Sequence, residues 1–221
     1  MKLNQMIDHT LLKSDATKSQ IIQLCKEAIE HQFYSVCVNS SWVSLCAKQC
    51  QNSGVHICSV VGFPLGAMHS DVMALEAKQA VKDGADEIDM VLPIGKLKEG
   101  NYEEVQACIQ KVVDASKPAR VKVIFETCLL NQEEIKKACE LSIDAGAAFV
   151  KTSTGFSKNG ATKDTVMFMK QCVKDLVQVK ASGGIRTLKD ALTMLEAGAD
   201  RLGCSASVAI IKEMKNIKEK N

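Results

Sequence analysis

The sequence predicts an α/β protein with a single domain, a (β/α)8 TIM barrel over residues 1–221, and three observations lead to this prediction. Strand-like and helix-like segments alternate along the chain, whose length is normal for such a barrel. Three helices end with a glycine that can take a left-handed turn just before the next strand, namely Gly84, Gly146 and Gly198. No linker or shift in composition divides the chain. An open doubly wound sheet is the competing fold, but the first strand–helix turn lacks its G-x-G-x-x-G fingerprint.

The elements follow from short apolar runs that alternate with amphipathic segments. Strands are predicted at residues 6–10, 34–38, 56–61, 87–92, 121–126, 148–152, 177–180 and 201–203. Helices are predicted at residues 18–31, 41–51, 70–82, 102–116, 132–144, 163–174, 188–197 and 207–218. Helix starts carry capping and dipole signals, since Asn131 precedes Glu133 and Glu134, and Ser70 precedes Asp71.

The composition is typical of a soluble globular protein, with 46% hydrophobic and 24% charged residues. The formal charge of +2 is too small to argue for a nucleic-acid partner, and no apolar stretch is long enough to span a membrane. We find no secretory signal, and the ten cysteines form no C-x-x-C pair, so we expect reduced thiols in the cytoplasm. No histidine spacing fits a metal site, and we expect neither a metal nor another cofactor.

Two lysines end short apolar runs, where a strand covered on both faces tolerates charge poorly. The runs are Val150-Lys151-Thr152 and Val179-Lys180-Ala181. In a barrel both lysines end inside and close together, and an amine beside a second cation loses its proton more readily. An unprotonated lysine is a nucleophile toward carbonyls, which indicates Schiff-base chemistry.

Further charges in the predicted strands are expected inside the upper barrel, where this fold has its active sites. They are Asp8, Glu87, Asp89, Lys122 and Glu126. Strand alternation places Glu87 with Asp89, and Lys122 with Glu126, on common faces. A structural ion-pair network is the alternative interpretation, but two lysines beside anion-binding loops favour a catalytic site.

Loops of small residues follow the sixth, seventh and eighth predicted strands. The loops after strands seven and eight form the usual phosphate site of this barrel, because backbone N–H groups at helix starts bind anions. The candidate residues are Thr154, Gly155, Ser182, Gly183, Gly184, Gly203 and Ser205. These loops predict a phosphorylated substrate.

Together these features suggest an aldol mechanism on a sugar phosphate. The phosphate anchors one end of the sugar while a lysine amine attacks the carbonyl at the other, and the resulting iminium permits carbon–carbon cleavage without a metal. With Lys151 as the nucleophile, Lys180 would be the neighbouring cation and Asp89 would relay protons. Spacing alone leaves open which of the two lysines is the nucleophile.

Seven stretches occur in order along the chain, from residue 7 to residue 186. They are Ile7-Asp8-His9-Thr10-Leu11-Leu12-Lys13, Ser35-Val36-Cys37-Val38-Asn39, Val60-Val61-Gly62-Phe63-Pro64-Leu65-Gly66, Ala85-Asp86-Glu87-Ile88-Asp89-Met90-Val91, Lys122-Val123-Ile124-Phe125-Glu126-Thr127, Phe149-Val150-Lys151-Thr152-Ser153-Thr154-Gly155-Phe156 and Val179-Lys180-Ala181-Ser182-Gly183-Gly184-Ile185-Arg186. This pattern resembles the deoxyribose-phosphate aldolases, a family of class I aldolases with the (β/α)8 fold.

The resemblance implies reversible cleavage of 2-deoxy-D-ribose 5-phosphate to D-glyceraldehyde 3-phosphate and acetaldehyde, within deoxynucleoside breakdown in the cytoplasm. It implies that Lys151 forms the Schiff base, Lys180 tunes it and Asp89 transfers protons. Asp8 and Cys37 match positions that line the substrate pocket. The phosphate end is matched by Gly155, Gly183, Gly184, Gly203 and Ser205. The partners would be small-molecule sugar-phosphate and aldehyde substrates, and the outer helix faces leave room for a homo-oligomer, a dimer or tetramer.

The chain departs from the family pattern at three places. Ser40 stands where family members often have proline, and Ala206 removes one hydroxyl from the last phosphate loop. The C-terminus, Lys218-Glu219-Lys220-Asn221, lacks the tyrosine that helps catalysis in some relatives. The competing functions are another phosphate-binding barrel enzyme, such as a sugar-phosphate isomerase, and a non-catalytic sugar-phosphate-binding barrel.

Overall fold

Eight parallel strands close into one barrel within residues 2–219, the part of the chain that the computed structural model describes. They are β1 (Ile7–Leu11), β2 (Ser35–Asn39), β3 (His56–Val61), β4 (Glu87–Val91), β5 (Arg120–Ile124), β6 (Phe149–Lys151), β7 (Gln178–Ser182) and β8 (Arg201–Cys204). The strands pair in chain order, and β8 closes the barrel on β1. The predicted (β/α)8 fold is confirmed. Met1, Lys220 and Asn221, which belong to the predicted domain span and C-terminus, lie outside the described residues.

Helices connect successive strands and cover the outside of the barrel. They are α1 (Lys18–His31), α2 (Val43–Gln49), α3 (Ser70–Lys82), α4 (Ile94–Lys98), α5 (Tyr102–Ser116), α6 (Gln132–Asp144), α7 (Lys163–Val173), α8 (Leu188–Glu196) and α9 (Ser207–Glu219). The expected cap of α6 is present, because Asn131 accepts from the Glu134 N–H at 2.9 Å while Glu134 bonds back to the Asn131 N–H. At α3 the cap is His69, so Ser70 is the first helical residue instead of its cap.

Three local differences from the sequence prediction have physical causes. Helix α4 was not predicted, since five residues are too few to show a helical period. The predicted helix 41–51 splits into a 3-10 turn over Ser40–Trp42 followed by α2. Strand β5 ends at Ile124 instead of residue 126, because Glu126 turns the backbone into the left-handed region at φ 54°.

Most of the hydrophobic core lies between the strands and the surrounding helices. A second, smaller apolar cluster contains Leu12, Cys37, Cys58 and Val60, with Phe63 packed against it. Each strand therefore buries its outward side chains under helices, while its inward side chains fill the barrel. Among the described residues, no helix is both long enough and apolar enough to cross a membrane.

Candidate active site

The strands direct seven charged side chains into the barrel interior, where all are at most 5% exposed. They are Asp8 on β1, Glu87 and Asp89 on β4, Lys122 on β5, Lys151 on β6, Lys180 on β7 and Arg201 on β8. Register brings these side chains to neighbouring positions: Asp89 pairs with Lys122 across β4 and β5, and Lys151 pairs with Lys180 across β6 and β7. Such a concentration of buried charge requires mutual partners.

Asp89 is the centre of this cluster. Its Oδ2 accepts from Lys151 Nζ and from Lys180 Nζ, each at 2.7 Å. Its Oδ1 accepts from Lys122 Nζ at 2.9 Å and from the Cys58 thiol at 3.2 Å. One carboxylate thus holds three lysine amines at hydrogen-bond distance.

Arg201 closes the cluster on the opposite side. Its Nη1 donates to Asp8 Oδ1 at 2.8 Å and to Glu87 Oε2 at 3.0 Å. Lys180 Nζ lies 2.5 Å from Asp8 Oδ2, in an ion pair whose angle is poor for a hydrogen bond, and Lys122 Nζ lies 2.6 Å from Glu87 Oε2. Six residues therefore form a closed circuit of alternating sign, here called the charge ring: Arg201, Asp8, Lys180, Asp89, Lys122 and Glu87.

The ring stabilises the ionised forms of Asp8, Asp89, Lys122, Lys180 and Arg201. Burial alone would raise the pKa of Asp8 and Asp89, but the nearby lysines hold both values well below the usual range. Burial alone would lower the pKa of Lys180, but Asp8 and Asp89 raise it well above its usual value. The pKa of Lys122 is raised in the same way, chiefly by Asp89. Lys180 is therefore a fixed cation beside Lys151.

A cavity of about 400 Å³ opens above the ring at the carboxyl ends of the strands. Eight sequence-predicted residues line it: Lys151, Thr154, Gly155, Ser182, Gly183, Gly184, Gly203 and Ser205. Lys151 is the last residue of β6, so its amine lies between the cavity and Asp89. The cavity therefore joins a buried amine to the glycine-rich loops.

The loop after β7 depends on close backbone packing. Gly183 has φ 83°, a conformation that favours glycine, and a Cβ on Gly160 would lie 2.2 Å from the Gly183 carbonyl oxygen. The Ala161 N–H also bonds to the Ser182 and Gly183 carbonyls, each at 3.0 Å. These contacts fix the loop after β6 against the loop after β7, on one wall of the cavity.

Comparison with known proteins identifies the family. The family model described as DeoC/LacD family aldolase matches residues 2–212.

The chain belongs to this aldolase family.

Two curated relatives of the aldolase support the same assignment. Deoxyribose-phosphate aldolase 1 of Mesoplasma florum is 58% identical over 216 residues, which cover 98% of each chain. Deoxyribose-phosphate aldolase of Finegoldia magna is 57% identical over 212 residues, covering 96% of this chain and all of the relative. A solved structure of deoxyribose phosphate aldolase from Aeropyrum pernix, described as tetrameric, superposes with a TM-score of 0.88 at 34% identity, covering 97% of this chain and 92% of the other. The family resemblance of the sequence is confirmed.

Four predicted site residues of the aldolase do not line the cavity. Asp89 and Lys180 lie in the charge ring below it, where they contact each other. Asp8 and Cys37 were expected to line the substrate pocket, and the structure places both below the cavity, with Asp8 0% and Cys37 1% exposed. Their position is one layer deeper because their strands run on beyond these residues toward the rim.

Glu126 does not join Lys122, contrary to the expectation from strand alternation. The left-handed backbone at Glu126 ends the alternation and turns its carboxylate toward Thr154. One carboxylate oxygen accepts from the Thr154 N–H at 3.3 Å, and the other accepts from the Thr154 hydroxyl. Glu126 is 3% exposed, so it fixes a cavity-lining residue from behind.

Potential metal ligands also meet in the aldolase interior. Ligand atoms lie within 4.8 Å of one another in two trios, Cys37 with Cys58 and Asp89, and Asp8 with Cys58 and Glu87. All three carboxylates already contact buried lysine or arginine side chains. A metal ion would have to displace these cations, so the sequence prediction of no metal stays our prediction.

Several residues of the site escaped the sequence analysis. Glu87 and Lys122 were recognised as buried charges but were not assigned to the site. Arg201 was missed entirely because it begins its strand, where a charge normally lies in solvent. Its burial and the stacking of its guanidinium carbon 3.5 Å from the centre of the Tyr34 ring carry no sequence signal. Thr10, Lys13, Phe156 and Arg186 also line the cavity, and all four lie within the family-like stretches or at their ends.

Proposed function

We propose that this protein is a class I aldolase that reversibly cleaves 2-deoxy-D-ribose 5-phosphate to D-glyceraldehyde 3-phosphate and acetaldehyde through a Schiff base on Lys151. One observation carries the proposal. Of the three buried lysines in the described chain, Lys151 alone lines the cavity, and it also contacts Asp89. An amine that faces a cavity of this size can reach a bound carbonyl, whereas Lys122 and Lys180 lie beneath it.

The reaction follows from the position of this amine. The Lys151 nitrogen adds to the C1 aldehyde of the open-chain sugar, and loss of water forms an iminium. Removal of the proton from the C3 hydroxyl breaks the C2–C3 bond, and its electron pair moves into the iminium to form an enamine. Glyceraldehyde 3-phosphate leaves first. Protonation of the enamine at C2 and hydrolysis then release acetaldehyde and restore the amine.

Asp89 and Lys180 have different roles in this proposal. The low pKa of Asp89 keeps it a carboxylate and makes it a weak base, so we assign it a transient role: it accepts the Lys151 N–H and relays a proton without retaining it, directly or through water. Lys180 keeps its proton and acts by its positive charge, which favours the unprotonated amine of Lys151. Neither residue needs to touch the sugar for these roles.

The glycine-rich loops would hold the phosphate at the other end of the cavity. Ser182 ends β7 and is followed by Gly183 and Gly184, while Gly203 lies near the end of β8 and Ser205 follows that strand at the same rim. Lys13 and Arg186 line the same cavity and are exposed, so both can place positive charge near a phosphate. We assign the phosphate end of the substrate to these loops.

Borohydride trapping tests the proposal. The protein is incubated with 2-deoxy-D-ribose 5-phosphate and borohydride, and the modified peptide is mapped by mass spectrometry. We expect a reduced adduct on Lys151, release of acetaldehyde without borohydride, and neither result with the Lys151→Ala variant, which should stay folded. An active preparation that gives no adduct at Lys151 would rule out the Schiff-base mechanism.

We also propose a cytoplasmic homo-oligomer, dimer or tetramer, that acts in deoxynucleoside breakdown. The ten cysteines are free throughout the described chain, as expected in a reducing compartment. Val72 and Leu75 on α3 are at least half exposed and line the same surface groove, which gives an apolar face that a second copy can cover. Light scattering coupled to size exclusion measures the mass in solution, and a monomer at micromolar concentration would contradict the oligomer.

A further inference from the structure

The charge ring is electrically balanced without Lys151. Three members are cations, Arg201, Lys122 and Lys180, and three are carboxylates, Asp8, Glu87 and Asp89. Lys151 is the seventh charged side chain and is attached to the ring through Asp89 Oδ2 at 2.7 Å. A proton on Lys151 therefore adds one uncompensated positive charge on a side chain that is only 2% exposed, which is unfavourable.

We propose that Arg201 sets this charge balance and thereby keeps the Lys151 amine unprotonated, which makes Arg201 a positioning residue for the aldol reaction. The inference rests on the proposed function of Lys151. Arg201 does not line the cavity, so it acts only through the ring. Two chains of contacts run from it to Asp89, one through Asp8 and Lys180 and the other through Glu87 and Lys122.

Arg201 is suited to this role because its charge does not change with pH. A guanidinium stays protonated in proteins, whereas a buried lysine can lose its proton. The guanidinium carbon also lies 3.5 Å from the centre of the Tyr34 ring and 5.3 Å from that of Phe149, so the side chain packs against two aromatic rings. A fixed positive charge therefore stands permanently against Asp8 and Glu87.

Every strand of the barrel except β6 itself adds a titratable or charged group around Lys151. These groups are Asp8 (β1), Cys37 (β2), Cys58 (β3), Glu87 and Asp89 (β4), Lys122 (β5), Lys180 (β7) and Arg201 (β8). Beyond the strands lie Glu126 behind the cavity and Lys13 and Arg186 at its rim. Burial raises the pKa of Cys58 well above its usual value, so this thiol stays neutral, whereas the hydrogen bond with Cys58 lowers the pKa of Cys37.

The pH dependence of amine trapping tests the proposal. Acetaldehyde has no titrating group, so its reaction with Lys151 reports the protonation of the enzyme alone. The amine adds to the carbonyl carbon, water leaves, and borohydride then delivers hydride to carbon while nitrogen takes a proton from solvent. The rate of labelling at Lys151 is measured against pH, with the exposed Lys189 in the same sample as the internal reference.

Charge-changing and charge-conserving variants of Arg201 should differ. Arg201→Met leaves the ring with a net negative charge, which a proton on Lys151 neutralises. We expect the midpoint of labelling to move to higher pH by about one unit, a tenfold change in the fraction of free amine. Arg201→Lys keeps the charge and should stay close to the wild-type midpoint, even if its geometry is poorer.

Glu87 provides the opposite change. Glu87→Gln leaves the ring with a net positive charge, so the midpoint should move to lower pH. The double variant Arg201→Met with Glu87→Gln restores the balance and should return the midpoint toward the wild-type value. If Arg201→Met does not fold, Glu87→Gln and Arg201→Lys carry the test, the first with a lower midpoint and the second with a midpoint close to wild type. If Arg201 and Glu87 only supported the fold, replacing them would change the amount of active protein but not the pH midpoint of labelling at Lys151.

The outcomes separate this inference from the proposed function. No labelling of Lys151 in the wild-type protein would contradict the Schiff-base function itself. Normal labelling with the same midpoint in Arg201→Met and Glu87→Gln would overturn only the role of Arg201. Shifts of both variants in the same direction would also overturn it, because charge balance requires opposite signs.

Discussion

Lys151 and Lys180 are register partners on β6 and β7, and both donate to a single oxygen, Oδ2 of Asp89, at 2.7 Å. Two ammonium groups that share one oxygen repel each other, and that single carboxylate oxygen cannot fully compensate both positive charges. Lys180 has a second carboxylate, Asp8, at 2.5 Å, whereas the ion pairs of Lys151 comprise only Asp89 within the described residues. Lys180 thus has two carboxylate partners and Lys151 has one, which supports the proposed roles of Lys180 as the fixed cation and of Lys151 as the nucleophile.

Replacing Lys180 tests this division of roles. In Lys180→Leu the repulsion disappears, so Lys151 holds its proton at neutral pH while paired with Asp89. We expect acetaldehyde release at pH 7 to fall at least tenfold and to recover partly as the pH rises. The measurement is the pH profile of turnover, with the exposed-site variant Lys189→Leu as control. Wild-type activity of Lys180→Leu near neutral pH would disprove this account of amine activation.

The contact between Glu126 and Thr154 supports the cavity wall, so removing it should lower both protein stability and catalytic efficiency. Thr154→Val keeps the shape of the side chain but removes the hydroxyl that donates a hydrogen bond to the Glu126 carboxylate. A buried carboxylate that loses a partner costs about 1–3 kcal/mol. We expect a lower free energy of unfolding and a lower kcat/KM.

The matched control at this position is Thr154→Ser, which keeps the hydroxyl and should recover most of both quantities. Urea unfolding and steady-state kinetics measure them. Equal behaviour of the valine and serine variants would show that the hydroxyl contact with Glu126 has no role.

The loop after β7 predicts a substrate-dependent effect. Gly183→Ala introduces a side chain where φ is 83° and where the Cα of Gly160 would lie 2.9 Å from the new Cβ, so the loop has to move. If this loop holds the phosphate, KM for 2-deoxy-D-ribose 5-phosphate should rise at least tenfold. The efficiency with unphosphorylated 2-deoxy-D-ribose should change much less. A similar loss with both sugars would place the phosphate elsewhere.

The pKa shifts of the buried carboxylates predict how the free energy of unfolding depends on pH. Burial would raise the pKa of Asp8 and Asp89, but their lysine neighbours hold both well below the unfolded value of about 3.9. Their stabilising effect is thus complete above roughly pH 4–5 and is lost as the pH falls through the folded values. Each such group adds about 1.4 kcal/mol per pH unit to the slope within that window.

Urea unfolding between pH 6 and pH 2.5 measures this slope. In Asp8→Asn the slope below pH 4 should be shallower than in the wild-type protein, because one titrating carboxyl is gone. The exposed-site variant Asp175→Asn should keep the wild-type slope. An unchanged slope in Asp8→Asn would mean that Asp8 is not ionised at low pH in the folded protein.

The sequence by itself determines the fold and most of the cavity. Alternating apolar runs and amphipathic segments, with glycines at helix ends, specify eight strand–helix units because each strand must be buried on both faces. The loops after the last three strands are recognisable because close backbone approach and left-handed turns require small residues there. Lys151, Lys180 and Asp89 stand out because charge inside a buried strand is unfavourable without partners.

Only the tertiary structure decides how these charges are connected. Arg201 and Asp8 are separated by 193 positions and meet because β8 pairs with β1 when the barrel closes. The Glu126 side chain does not lie on the same face as Lys122, because the left-handed backbone at Glu126 ends the alternation of the strand. No local sequence pattern predicts this backbone conformation. Lys151 faces the cavity while Lys180 lies below it because β6 ends at its lysine and β7 runs two residues further. Strand order and strand ends, which depend on the whole barrel, therefore decide which lysine faces the cavity.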